Sequence, residues 1–365
     1  MNERERLLTV LKRGKPDRIP WFADLSYIYS SLEERGLLEK KYKGDEGYLN
    51  FHMDLGAGIC FYAPFLWRTE YAKGIRYTEN RDGDTKTSVW ETPRGKIFSR
   101  EHYSGTSFCW AYTKHFVETI EDLRIMLYIH ENAEHFENYD AFEKIDRLWN
   151  GYGIACGCTP ISSAPIQKLF SRWAGIENTM AIYVDNTLEF EEILERLAQS
   201  ENEIFRIICA SPAQYVEFPE NLSSEVTGKN FFLQYNSPYY VKRNKELHAA
   251  GKLTGIHIDG TLSSCLPLLG DCGFDAAEAV TPAPVGDVRL EDLRKTAGDI
   301  IIWGGLPGAL FSPLYGEDIF ESHLARTIDI AKEDGLFVIG VADQVPPDGL
   351  LSRVKKVREF LDGGQ

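Results

Sequence analysis

Long apolar segments are missing from this 365-residue sequence. No uninterrupted apolar run approaches the ~20 residues that a helix needs to cross a bilayer, so no membrane-spanning helix is expected. Positive charge is also in deficit, because 40 Lys and Arg face 55 Asp and Glu, which gives a net charge of -15. Nucleic acids and anionic membrane surfaces both require concentrated positive charge. We therefore expect neither nucleic acid nor a membrane as a partner.

The sequence also lacks the cysteine density of a small protein held together by disulfides. Its seven cysteines are an odd number and lie scattered along the chain. The opening residues, MNERERLLTVLKRGKPDRIP, carry too many charges for a secretory signal peptide. These features predict a cytoplasmic protein with reduced thiols. A hydrophobic content of 43% is sufficient for one large core.

Short apolar segments alternate with helical segments along much of the chain, most regularly after residue 150. This alternation predicts a parallel sheet with right-handed crossovers. The predicted strands are IPWFAD (19–24), AGICFYAPF (57–65), GYGIACGC (151–158), QYVEF (214–218), KLTGIHID (252–259), FDAAEAV (274–280), IIIWGG (300–305) and LFVIGVAD (336–343). Eight strands predict an α/β fold of the TIM (β/α)8 barrel type, with residues 1–365 as a single domain. A doubly wound open sheet is the alternative, but the sequence has no glycine-rich phosphate loop after an early strand.

Residues 67–118 interrupt this pattern. Stretches with a two-residue alternation, GIRYTEN, TKTSVWET and GKIFSREHY, are separated by the turn signals RDGD and PRG. Such a pattern predicts antiparallel β-hairpins, which we expect to form an insertion near the mouth of the barrel. Residues 119–149 are predicted to be helical.

The segment KLTGIHIDG (252–260) is the most informative part of the sequence for function. His257 and Asp259 lie two residues apart at the end of a predicted strand, so their side chains should share one face. An imidazole and a carboxylate in this arrangement can bind a metal, exchange a proton or orient a substrate. A core histidine followed by a helix-capping aspartate is the alternative, and the segment alone leaves both open.

Residues at the carboxyl ends of barrel strands converge on one mouth. The polar residues at those ends are Asp24, Tyr62, Glu217, His257, Asp259, Glu278 and Asp343, and Asn221 follows in the loop after Glu217. One histidine among several carboxylates suits a divalent metal or acid–base catalysis, although each carboxylate alone can equally cap a helix. Trp21 and Tyr62 are expected to wall a pocket for an apolar or aromatic small molecule. Cys156 and Cys158 form a C-x-C pair at another strand end, which is only a weak zinc signal.

Several segments in chain order resemble the uroporphyrinogen decarboxylase superfamily. They are ERERLLTVLKRGKPDRIPW (3–21), KLTGIHIDG with SSCLPLLGDCGFDAAEA (263–279), DIIIWGGLPG (299–308) and LFVIGVADQVPPDGLLSRVKKV (336–357). The resemblance runs from residue 3 to the C-terminus, is weakest across 67–118, and implies a TIM barrel. True uroporphyrinogen decarboxylases carry an arginine-rich segment after the first strand, which WFADLSYIYSSLEERG (21–36) lacks. An acidic mouth is also unfavourable for a polyanionic tetrapyrrole.

The chain is more similar to the cobalamin-dependent methyltransferase branch of this superfamily. Related enzymes bind zinc through His-x-Cys and a later Cys, and the matching positions here are His257, Asp259 and Asp343. The resemblance thus implies a divalent metal, zinc in the first place, with a harder ligand set. In aryl methyl ether demethylating members two glutamates precede the histidine, and the matching positions are Asn221 and Asn236. We assign these two asparagines to the substrate pocket.

The implied activity is metal-assisted transfer of a methyl group from a small methylated compound to a corrinoid carried by a partner protein. Glu217 or Glu278 would exchange a proton with the leaving group. Two alternatives stay open. One is decarboxylation of uroporphyrinogen or a smaller carboxylic acid, with His257 or Asp24 protonating a carbanion, and the other is a non-catalytic module that binds a tetrapyrrole or corrinoid. Formation of a homodimer stays open as well.

Overall fold

A computed structural model describes residues 1–61 and 63–363 of the chain. Its helices are distributed along the whole sequence. They are α1 (Glu3–Leu11), α2 (Ser26–Glu34), α3 (Gly44–Leu55), α4 (Ile120–Glu131), α5 (Tyr139–Trp149), α6 (Pro165–Lys168), α7 (Gly175–Asp185), α8 (Thr187–Ser200), α9 (Asn202–Ala210), α10 (Ser224–Thr227), α11 (Lys229–Phe231), α12 (Ser237–Ala249), α13 (Leu293–Ala297), α14 (Glu317–Asp334) and α15 (Leu351–Gly363). A π-helical turn, Leu169–Trp173, lies between α6 and α7.

Within the described residues, the strands fall into three sheets. They are β1 (Trp67–Tyr71), β2 (Arg76–Asp82), β3 (Thr85–Thr92), β4 (Gly95–Ser104), β5 (Cys109–Lys114), β6 (Ala133–Glu137), β7 (Gly157–Cys158), β8 (Tyr215–Leu222), β9 (Leu253–Ile258), β10 (Ala276–Val280), β11 (Ile301–Pro307) and β12 (Phe337–Ala342). Strands β7 to β12 form a six-stranded sheet in chain order, and all its pairs are parallel. The alternation of strands and helices after residue 150 therefore predicted the α/β class and the parallel sheet correctly.

Two short segments, residues 20–22 and 58–60, continue the parallel arrangement beyond the regular ladder. Three isolated bridges join them to their neighbours: Trp21 with Ile339 of β12, Phe22 with Gly58, and Ile59 with Gly153. The segments thus lie between the β12 edge and the residues that lead into β7. The strands predicted over 19–24 and 57–65 are shorter than expected, and Pro20, which has no amide hydrogen, cannot donate to a ladder.

The predicted hairpins are present in the insertion. Strands β2 to β5 form an antiparallel sheet in chain order. Around the β4–β5 turn, the Phe108 ring lies 5.5 Å below the guanidinium of Arg35, the residue that follows α2. The Tyr27 hydroxyl, in the first turn of α2, also donates to the Ser107 carbonyl of this turn. Because α2 begins shortly after segment 20–22, the contact at its first turn places the insertion near the end of the parallel sheet where the strands terminate.

Residues 119–149 differ from the helical prediction at their centre. Strand β6 separates α4 from α5 and pairs antiparallel with β1. The AEHFE segment has the two-residue alternation of a strand, and pairing with a partner 66 residues earlier, as between Thr69 and His135, stabilises that conformation.

Side chains of the parallel sheet point alternately into two buried layers. Trp21 and Val216 belong to the layer that faces the helices. Their neighbours Phe22 and Tyr215 belong to the inner layer, which also includes Trp303. Three side chains of α1 pack against this inner layer, namely Leu7, Val10 and Leu11. Tyr215 is the first residue of β8, so α1 covers the amino ends of the strands and leaves the carboxyl ends for the polar residues.

Candidate active site

His257 is the centre of a polar cluster on the inner face of the sheet. It lies on β9 directly opposite Glu278 of β10, and its Nδ1 atom is 2.5 Å from Glu278 Oε2. Its Nε2 atom is 3.4 Å from Oδ1 of Asp343, which follows β12. Strands β9 and β10, which are neighbours, and β12, which lies beyond β11, thus bring together one imidazole and two carboxylates that the sequence placed at strand ends.

Glu217 of β8 joins this cluster from the other side of β9. Its side chain is 2% exposed, and its Oε2 atom accepts a short hydrogen bond from the Tyr215 hydroxyl. Its Oε1 atom has no hydrogen-bond partner within residues 1–61 and 63–363. Gly255, the register partner of Glu217, leaves the necessary space, because a Cβ there would lie 2.7 Å from Glu217 Oε2.

The protonation states follow from burial and mutual charge. Burial disfavours a charged imidazolium, but the charge of Glu278 and its hydrogen bond outweigh this effect and raise the pKa of His257 to about 10. Burial, reinforced by the negative charge of Glu278, raises the pKa of Glu217 well above its usual range. Burial likewise raises the pKa of Asp343 to about 7, against the effect of His257. Burial and mutual charge thus favour retention of a proton by both His257 and Glu217.

Two irregularities in the sheet flank β9. The pairing of β8 with β9 shifts between Pro219 and Leu222, and the pairing of β10 with β11 shifts between Ala277 and Val280. Ala279, immediately after Glu278, has a left-handed φ of 61°. Such bulges redirect side chains and occur frequently beside active sites. Here they lie at the carboxyl ends of the strands, next to Glu217 and Glu278.

Asp24 and Asp259 lie at the edge of the cluster. Both carboxylates contribute negative charge that acts on Asp343. Asp24 accepts hydrogen bonds from the Ser26 amide at 2.8 Å and from the Gln344 side chain at 2.7 Å, so it connects segment 20–22 to the residues after β12. The predicted catalytic set of His257, Asp259, Glu217, Glu278 and Asp24 thus converges on one end of the sheet.

The predicted pocket wall has a different arrangement. Trp21 is 1% exposed and packs in the layer between sheet and helices, because Phe22 takes the inward position. Asn221 is exposed with a φ of 50° at the β8 irregularity. Asn236 is fully buried and donates to the Tyr240 hydroxyl at 3.2 Å. The prediction for Tyr62 falls outside the described residues.

Three cysteines lie next to the cluster on the inner face. Cys156 and Cys158 flank Gly157 on the β7 segment, and Cys60 lies on the adjoining segment, where its carbonyl accepts from the Cys156 amide at 3.1 Å. Burial raises the pKa of the Cys60 thiol, and the charges of Glu217 and Glu278 add to this effect. Cys60 was not among the predicted site residues. It lies in the middle of the predicted strand 57–65, so its position gave no signal of a residue at a strand end.

The predicted metal ligands do not form a metal site. In the described chain, no group of three or more His, Cys, Asp and Glu side chains has an arrangement that could hold a metal ion. His257 directs one ring nitrogen to Glu278 and the other to Asp343, so both nitrogens already face carboxylates. The expectation of zinc at His257, Asp259 and Asp343 therefore does not fit the residues as they are placed.

Comparisons with known proteins concern the fold. No protein-family model matches the chain, and no curated protein matches it. A GH18 chitinase, ChiB, from Flavobacterium johnsoniae has 11% identity over 62% of this chain and 82% of its own, with a TM-score of 0.32, which is too low to bear on the fold. No helix in the described ranges has the length and apolar character that crossing a membrane requires. A methyltransferase from Methanosarcina mazei matches 100% of this chain and 99% of its own with a TM-score of 0.63 and 13% identity, so this chain shares its fold with a methyltransferase.

Proposed function

We propose that this protein is a methyltransferase that takes a methyl group from a small methylated compound and passes it to a corrinoid held by a partner protein. The observation that carries the proposal is the buried group of Glu217, His257 and Glu278 at the carboxyl ends of the strands. The fold shared with the Methanosarcina mazei methyltransferase supports it. We also propose that segments 20–22 and 58–60 complete an eight-stranded (β/α)8 barrel around this group.

The chemistry of methyl removal explains the need for these residues. When a nucleophile takes the methyl carbon, the bonding electrons stay on the oxygen, nitrogen or sulfur atom that carried it. That atom becomes a poor leaving group unless it receives a proton or a strong hydrogen bond. Glu217, whose pKa burial raises, donates its proton to this atom, and the His257 imidazolium stabilises the developing negative charge.

Glu278 has a positioning role in this mechanism. Its bond to Nδ1 fixes the ring plane of His257, so Nε2 and its proton point toward Asp343 and the open end of the strands. Because Glu278 is 3% exposed, water does not compete for this bond. The ring is thereby oriented before the substrate arrives, which reduces the reorganisation needed in the reaction.

Decarboxylation fits the cluster less well. Apart from the Glu217 acid, the acidic groups that act on His257 are Glu278 and Asp343. A substrate carboxylate would approach this set of like charges with one imidazolium as its counter-ion, which is electrostatically unfavourable. A methylated alcohol, amine or thioether brings no negative charge to the site.

The test is a turnover assay with purified protein, reduced corrinoid and separate O-, N- and S-methylated donors, followed by the absorbance change of corrinoid methylation. We expect methylation with one donor class, and a loss of about 10²-fold or more in His257→Gln, the range of positioned acid–base groups. Glu333→Gln, at an exposed position, is the control and should retain full activity. Release of CO2 from uroporphyrinogen or a smaller acid by the wild type but not by His257→Gln would replace the proposal with a decarboxylase.

A further inference from the structure

A cavity lies beneath the insertion and shares no lining residue with the cluster around His257. Its volume is about 290 Å³. Aromatic rings from both sides form much of its wall, namely Tyr71, Tyr77, Trp90, Tyr112, Phe116 and Trp173. Pockets for drug-sized ligands begin at about 300 Å³, so this cavity suits a molecule of one or two rings.

The aromatic wall is held in place by ring-to-ring packing. The ring centroids of Tyr71 and Tyr77 each lie 4.8 Å from that of Trp90. Elsewhere on the wall, the ring centroids of His130 and Trp173 lie 4.9 Å apart. Rings packed against one another lose little conformational freedom when a planar ligand stacks on them. The wall is thus suited to a flat, unsaturated molecule.

A cation completes the cavity. Arg172 lies on its wall, is partly buried, and forms no ion pair with a carboxylate within the described residues. The other cation on the wall, Lys168, is already paired with the buried Glu201. Arginines on the adjacent helices are also paired, since Arg124 contacts Glu189 at 2.6 Å. In a chain of net charge -15, an arginine beside a cavity without a carboxylate partner indicates that an anion from outside is its counterpart.

We propose that this cavity binds a small planar aromatic anion, with its ring stacked between Trp90 and Trp173 and its carboxylate or equivalent group on Arg172. The aromatic rings and Arg172 together favour planar aromatic anions over other ligands. A simple inorganic anion would gain nothing from the aromatic rings, and a neutral ring would leave the guanidinium without its counterpart. The site is separate from the methyltransferase site proposed above, so the two proposals can be tested independently.

Benzoate is the probe for this proposal, with benzamide as its uncharged analogue and cyclohexanecarboxylate as its non-planar one. Binding is measured by calorimetry and by quenching of tryptophan fluorescence, since Trp90 and Trp173 line the cavity. The variant is Arg172→Gln. Its matched control is Arg81→Gln, because Arg81 is an exposed arginine of the same insertion that lies 4.9 Å from the Trp110 ring, away from the cavity wall.

We expect benzoate to bind saturably and both analogues to bind at least about tenfold more weakly, the effect of one charge-assisted contact or of lost stacking. Arg172→Gln should weaken benzoate by at least about tenfold and leave benzamide unchanged, whereas Arg81→Gln should match the wild type. Melting temperatures of both variants report whether the fold is intact. Equal affinity for benzoate and benzamide, unchanged affinity in Arg172→Gln, or no saturation up to about 10 mM would overturn the proposal.

Discussion

Nδ1 of His257 lies 2.5 Å from Oε2 of Glu278, and the two residues are direct partners on neighbouring parallel strands. Both side chains are largely buried, with 16% and 4% of their surfaces exposed. Neither charge is therefore independent of the other, because each compensates the cost of burying its partner. This mutual dependence distinguishes the pair from a histidine that simply fills the core.

A double-mutant cycle on this pair tests the dependence. His257→Gln leaves the Glu278 carboxylate buried without a cation, and we expect the free energy of unfolding at pH 7 to fall by about 1–3 kcal/mol. The double variant with Glu278→Gln should cost less than the two single changes together, by more than ~1 kcal/mol. Denaturant titrations of the four proteins give these values. Additivity to within about 0.5 kcal/mol would show that the pair is not coupled.

Metal dependence is tested by Asp259→Asn together with chelation. The Asp259 position matches a zinc ligand in the family that the sequence resembles, but the described residues include no metal-holding group. We expect elemental analysis to find no stoichiometric metal, and chelator-treated protein and Asp259→Asn to remain active. Loss of a real ligand would lower metal content and activity by at least about tenfold, so such a result would reinstate the zinc expectation.

The pH dependence of stability should contain a contribution from Glu220. Burial raises the pKa of this fully buried carboxyl to about 7, above the ordinary 4.5, although hydrogen bonds from Ser163 and Ala164 act in the opposite direction. Below pH 4.5 both folded and unfolded chains carry the proton, whereas between pH 4.5 and 7 only the folded chain retains it. Stability should thus decrease as the pH rises through this window, by at most ~3 kcal/mol.

Glu220→Gln removes the titration while keeping an oxygen that can accept from Ser163. We expect the free energy of unfolding of this variant to vary less between pH 5 and pH 7 than that of the wild type. Glu333→Gln, at an exposed position, serves as the control and should follow the wild-type curve. Parallel curves for Glu220→Gln and the wild type would contradict the assignment.

Gly255 is predicted to be intolerant of any side chain. A Cβ at this position would overlap the Tyr215 hydroxyl and lie 2.6 Å from Tyr215 Cζ, inside the packed interior of the sheet. We expect Gly255→Ala to destabilise the protein by about 1–3 kcal/mol through overpacking. Gly270→Ala is the matched control, because nothing lies within 4 Å of its added Cβ. Similar melting temperatures for the two variants would contradict the placement of Tyr215 and Glu217.

Particular residues show how much of the site could be predicted from the sequence. His257, Glu278 and Asp343 could be predicted as one group, because carboxyl ends of parallel strands meet at one edge whatever the details of packing. Trp21 could not be assigned a face, since both it and Phe22 are aromatic and the strand has no polar alternation to fix its register. The position of Asn221 could not be predicted, because it depends on an irregularity in the pairing of β8 with β9 that local backbone geometry produces. The Tyr215–Glu217 contact needs the space left by Gly255, and the sequence alone does not show that these three residues lie together.

Helix α1 seals the sheet interior at the end opposite the carboxylates. Leu7, Val10 and Leu11 are at most 1% exposed and pack beneath Tyr215. Bulk water thus meets the cluster from the side of Asp343, whose side chain is 40% exposed, while Glu217 is 2% exposed and lies deeper. Protons from bulk water can therefore reach the cluster only from the side of Asp343. In the proposed reaction, Glu217 would regain its proton by way of His257 after each turnover, so the supply of protons would be one of the steps that limit the rate.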